Sequence, residues 1–256
     1  MTYCLGILIP SGLVLAADSR SNAGVDQITR VHKLALITRP GGRVIAMLSA
    51  GNLATTQYVV TSMQEALGSG DLQHDLYTAR TMFDAADMLG GKLREVIDRE
   101  NRYVQPYGDP SASFLIGGQI SGERPRLFEI YSAGNFIEAT DRECYLQIGE
   151  TKYGKPILHR ALPFLDQAQN IQRPLDEAAK LALLSFDATV RSNLSVGLPI
   201  DILRYDTDSF SAHNYATLDG DSPYWRQLRD GYAAGPGQGH RRTAGAACRL
   251  GAVKGS

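Results

Sequence analysis

Three features of the sequence predict an α+β fold. Strand-like segments come in groups, helix-like segments come in pairs, and the first two strands show no polar face. Those two strands, residues 3–9 and 13–17, flank Pro10-Ser11-Gly12. That is turn chemistry, so the pair forms a β-hairpin. A strand without polar alternation is covered on both faces, which puts the hairpin inside a layered structure.

The other elements follow along the chain. Residues 29–37 (TRVHKLALI) predict one strand, with Val31, Lys33, Ala35 and Ile37 on one face. Residues 42–51 (GRVIAMLSAG) predict the next, entered through Pro40-Gly41-Gly42. Asn52 is placed to cap a helix that runs to about Leu67 and stops at Gly68. A second helix, about 79–99, puts Met82, Ala86, Leu89, Leu93 and Val96 on one face. A loop rich in Tyr, Pro and Gly (103–110) leads into short strands within 111–118, 126–134, 135–141 and 144–149. Two more helices are expected at about 151–162 and 174–191. Pro174 opens the second, and Asp176 and Glu177 lie in its first turn, where the helix dipole favours them. Residues 199–206 and 209–218 close as a strand pair. Residues 1–232 are read as one domain. In 233–256, 12 of 24 residues are Gly or Ala, too few large side chains to pack, and a disordered tail is expected.

Composition narrows the function. Lys plus Arg number 26 against 27 Asp plus Glu, so there is no basic footprint for nucleic acid or a membrane surface. No segment reaches transmembrane length. The cysteines, Cys4, Cys144 and Cys248, show neither a CxxC nor a disulfide framework. With no signal-peptide pattern at the start, a cytoplasmic protein is expected. His32, His74, His159, His213 and His240 make no HExxH or other metal spacing, so neither a metal nor a cofactor is expected. GPGQGH (235–240) follows no strand and is a weak phosphate loop, and no G-x-S-x-G elbow occurs.

The chemistry gathers at the open end of the hairpin. With the turn centred on Ser11, residue 18 lies across from residue 4 and residue 20 from residue 2, so Thr2, Asp18 and Arg20 are neighbours. A carboxylate ending a buried apolar strand is costly unless paired, and Lys33 is the cation on the next strand's apolar face. Thr2 would become the N-terminal residue if Met1 is removed, as a small second residue permits. A threonine hydroxyl is a weak nucleophile that needs a base, and an N-terminal threonine carries one in its own α-amine. Lys33 would disfavour the protonated amine, and Asp18 would orient Lys33. SAGN (49–52) ends a strand and opens a helix, where backbone N–H groups favour an oxyanion, and Gly51 allows close approach. Each residue alone has a structural explanation: Asp18 paired with Arg20, Lys33 snorkelling from a sheet edge, Gly51 serving a tight turn. Their coincidence at one end of one hairpin favours catalysis.

The segments TYCLGI, GLVLAADSRSNAG, SAGN and RSNLSVGLPIDIL resemble proteasome β subunits and the related heat-shock-locus protease. TYC directly after Met1, SNAGVDQI and RSNLSVGLPID most resemble the bacterial proteasome-like Anbu family. The likeness covers about residues 2–215. It implies a four-layer αββα sandwich and an N-terminal nucleophile hydrolase. Thr2 would be nucleophile and base, Asp18 and Lys33 its charge partners, the Gly51 N–H the oxyanion donor and Ser195 a helper near the amine. Asn22 and Gly24 would offer backbone to an extended peptide, and Ser49 and Leu53 would line the first specificity pocket. Departures stand out. Lys33 is one residue nearer the threonine than in proteasomes, Ser192 replaces an aspartate, and Ile148-Gly149-Glu150 replaces a serine segment. Glu150 is a candidate for a charge role near the amine.

The resemblance further implies a ring or helical homo-oligomer acting on peptides or proteins. Relatives are often paired with an ATP-driven unfoldase, which nothing in this sequence shows. The alternative expectation is an assembly subunit with vestigial or no proteolysis.

Overall fold

A computed structural model describes residues 1–22, 28–162 and 174–233. The chain opens with β1 (Tyr3–Ile9), β2 (Gly12–Asp18), β3 (Arg20–Asn22), β4 (Ile28–Arg30), β5 (Leu34–Arg39) and β6 (Arg43–Gly51). Helices α1 (Leu53–Glu65) and α2 (Met82–Val104) follow, then β7 (Ala112–Ile120), β8 (Arg126–Ile130), β9 (Phe136–Glu138) and β10 (Tyr145–Gly149). Helices α3 (Lys155–Ala161) and α4 (Leu175–Ser192), strands β11 (Ile200–Asp206) and β12 (Tyr215–Leu218), and α5 (Pro223–Ala233) complete it.

Two five-stranded antiparallel sheets carry the fold, ordered β10-β1-β2-β11-β12 and β5-β6-β7-β8-β9, beside a β3-β4 ribbon. Three apolar cores define four layers. Leu5, Ile7 and Val14 of the first sheet pack against Phe186 and Leu183 of α4 and Trp225 of α5. Ile45, Met47 and Ile116 of the second pack against Met63 of α1 and Leu89 and Leu93 of α2. Between the sheets lie Leu13, Leu15, Ala46, Leu48, Leu115 and Leu127. This is the αββα sandwich, and β2 is buried at every position, which is why neither of its faces is polar.

Several boundaries differ from the sequence expectation. The expected strand 29–37 is two strands in different sheets, β4 and β5, with Val31–Lys33 crossing between them. The break comes because the Val31 amide bonds to Ser19 O instead of continuing the β6 ladder. The second helix starts at Met82, fixed by a capping box between Thr81 and Asp84. Helix α5, not foreseen, is tied down by Trp225 and Leu228. The expected tail, beyond Ala233, lies outside the described residues.

The hairpin register also moves by one. Ile9 faces Gly12 and Cys4 faces Ala17, because the turn is the two-residue Pro10-Ser11. Asp18 therefore comes opposite Tyr3 rather than Cys4, and Tyr3 N donates to Asp18 Oδ1 at 3.0 Å. On its other edge β1 pairs with β10, Tyr3 facing Gly149. Glu150 N then donates to Thr2 O at 2.7 Å. Gly149 has φ 84°, and a Cβ there would lie 1.9 Å from Thr2 O. Gly149→Ala is therefore expected to cost about 2 kcal/mol or more, read as a lower urea midpoint. An unchanged midpoint would contradict this packing of residue 2.

Candidate active site

Asp18 ends β2 with no exposed surface. A carboxylate so buried must have its lone pairs satisfied. Oδ1 accepts from Tyr3 N (3.0 Å) and Lys33 Nζ (2.8 Å), and Oδ2 from Arg20 N (3.2 Å) and Gly197 N (3.3 Å). Lys33 Nζ also donates to Arg20 O at 2.5 Å. The lysine is nearly as buried as its partner, so neither charge is screened by water. Removing either partner from such a pair costs about 3–5 kcal/mol. Arg20 makes no ion pair with Asp18; its guanidinium donates to Leu194 O at 2.7 Å.

Thr2, Lys33, Ser49, Gly51 and Leu53 line one cavity of about 120 Å³. Thr2 is partly exposed, and Met1 ahead of it is 65% exposed, so a processing enzyme can reach it. Gly51 presents its amide to this cavity for a geometric reason. Asn52 N bonds to Ser111 O on the β7 side, while Ser49 N bonds to Lys33 O on the β5 side. Amides alternate sides along an antiparallel strand, so the Gly51 N–H points the same way as that of Ser49. There the partner strand has turned away at Val31, leaving the cavity. Gly51 has φ 111°, and a Cβ would lie 2.5 Å from Ser111 O, so the glycine is required by the neighbouring backbone as well. Asn52 caps α1 as expected, its side chain accepting from Thr55 N.

The other expected residues are spread around this centre. Glu150 is buried and rooted beside Thr2 by its own amide. Its carboxylate accepts from Asn193 Nδ2 (2.9 Å) and Lys152 N (3.3 Å). Asn193 Oδ1 in turn accepts from Ser195 N (2.9 Å), so Ser195 joins Glu150 through Asn193. Ser195 does not line the cavity, and Ser192 is exposed in the last turn of α4. Asn22 pairs with Ile28 across the β3-β4 ribbon. Gly24 lies outside the described residues.

Three residues escaped the sequence reading. Asn193 is a surface-type residue with no pattern to mark it. Asp201 interrupts an apolar strand, as Asp18 does, and that signal was available. It accepts from His32 Nδ1 at 2.8 Å, and His32 lines the cavity beside Lys33. Cys4 also lies nearby. Burial pushes its thiol far above the ordinary range, against the opposing pull of Lys33, so it stays neutral.

Comparison with known proteins bears on the fold and family. No family model matches the chain. An archaeal proteasome subunit beta 1, from Saccharolobus islandicus, is 27% identical over 206 residues, covering 79% of this chain and 84% of that one. The solved structure of Anbu (ancestral beta-subunit) from Yersinia bercovieri is 44% identical, with a TM-score of 0.83, and covers 97% of this chain and 100% of that one. The Anbu complex from Pseudomonas aeruginosa, solved as a helical assembly, is 38% identical with a TM-score of 0.85, covering 97% and 100%. The chain belongs to the Anbu family of proteasome-like β-type proteins.

Proposed function

We propose that the chain is a threonine hydrolase acting on peptide or amide bonds, with Thr2 as nucleophile once Met1 is removed. The observation that carries the reading is the sharing of one cavity by Thr2, Lys33 and Gly51, with Lys33 paired to buried Asp18. In this mechanism the neutral α-amine of Thr2 takes the Oγ proton as Oγ attacks the substrate carbonyl carbon. The C=O electrons move onto oxygen, and the Gly51 N–H stabilises that charge. Collapse breaks the C–N bond, and the leaving amine takes the proton back from the ammonium. Water, deprotonated by the same amine, then hydrolyses the ester.

Lys33 disfavours protonation of the amine by like-charge repulsion, and Asp18 holds it in place. Glu150 acts in the opposite sense, as a carboxylate rooted beside Thr2. The helical assembly of the Pseudomonas relative supports a homo-oligomer here. The departures at Glu150 and Ser192 support a second reading, an assembly subunit that has lost turnover.

Two measurements test these roles. A peptide epoxyketone should modify Thr2 in the wild type, in chains whose intact mass lacks Met1, and should leave Thr2→Ala unmodified. An unmodified wild type in an intact oligomer would select the second reading, and retained Met1 would exclude the amine as base. For Glu150→Gln, loss of the anion favours the neutral amine, so the rising limb of the pH–rate profile should move to lower pH. An unshifted limb would remove Glu150 from the charge balance of the site.

A further inference from the structure

We propose that His32, braced by Asp201, selects peptides that insert an acidic side chain into the Thr2 cavity. The proposal rests on the reading of that cavity as a peptide site and names the substrate class. Asp201 has no exposed surface. It accepts from Thr217 Oγ1 at 2.6 Å, Ser19 Oγ at 3.2 Å and His32 Nδ1 at 2.8 Å. Among the described residues no lysine or arginine pairs with it. Its one basic partner is thus an imidazole whose side chain is 69% exposed. The bond at Nδ1 fixes the ring, which lines the cavity, and among the described residues Nε2 has no hydrogen-bond partner.

Among the described residues the charge lining the cavity has one sign: the ionisable side chains are Lys33 and His32, and no carboxylate lines it. Lys33 is taken up by Asp18 and Arg20 O, which leaves Nε2 of His32 as the open site for charge. Gln57 and Thr61 of α1 add polar groups to the lining, and Leu53 and Val60 offer apolar surface to methylenes. A glutamate side chain fits both parts. A lysine would meet no anion among the described residues there.

The protonated ring can donate from both nitrogens, bridging Asp201 to the ligand. The ring is bonded to Asp201 on β11, and Tyr215 on β12 interacts with the same carboxylate. Tyr215 is pushed up to about 12, chiefly by burial, and stays neutral.

The test is equilibrium binding to the full-length Thr2→Ala protein, which separates recognition from turnover. Labelled peptide amides identical but for a last residue of Glu, Gln, Leu or Lys are compared at pH 6. The Glu peptide should bind about tenfold tighter than the Gln peptide. That margin should vanish in a chain also carrying His32→Gln. Equal or tighter binding of the Leu or Lys peptide, a margin that survives His32→Gln, or no binding of any peptide overturns the proposal. Selective binding of the Glu peptide with no turnover by the wild type would leave it standing and sink the hydrolase reading. Thr2-dependent turnover without the Glu preference would do the reverse.

Discussion

The structure around residue 2 depends on one buried ion pair. Asp18 has no water to solvate it, so four donors from separate stretches of chain converge on its two oxygens: Tyr3, Arg20, Lys33 and Gly197. A carboxylate held this way cannot move without breaking its contacts to all four. The cost of burying two charges is offset only by such complete satisfaction. What the arrangement provides is position. It fixes the start of β1, the crossing strand at Lys33 and the loop before β11 relative to one another.

A second carboxylate repeats the logic one position away. Asp18 and Asp201 lie on adjacent strands, where Asp18 faces Ile200 and Ala17 faces Asp201. They take the consecutive residues Lys33 and His32. The segment Val31–Lys33 is thereby pinned across the strand ends, away from β6, and that departure opens the space beside Gly51. The cavity is thus a consequence of where two acids stand, one at the end of β2 and one at the start of β11. The placing of Gly51 and the basic lining arise from the same deviation of chain.

Much of this was legible in the sequence because burial leaves patterns. The unalternating hairpin gave the layered interior, and Asp18 at its end demanded a cation that Lys33 supplies. Asn52 and Gly51 announced the strand-to-helix turn. The hairpin register was missed by one residue, since Pro-Ser-Gly allows either centring and only the sheet decides. The break at Val31–Lys33 was hidden because alternation on the page runs straight through it. Trp225 and α5 carried no strong signal beyond a lone tryptophan. The Glu150–Asn193–Ser195 chain joins residues 43 and 2 apart in sequence by polar contacts, which leave no periodicity to read.

The most direct measurement of the central claim is the coupling between Asp18 and Lys33. A double-mutant cycle of Asp18→Asn and Lys33→Met, read by urea unfolding, isolates their interaction from the separate cost of each change. The account predicts a coupling of about 2–3 kcal/mol, the double mutant being much less destabilised than the sum of the singles. Additive losses would show that the two charges do not act on each other, and the cavity would lose the element on which its geometry rests.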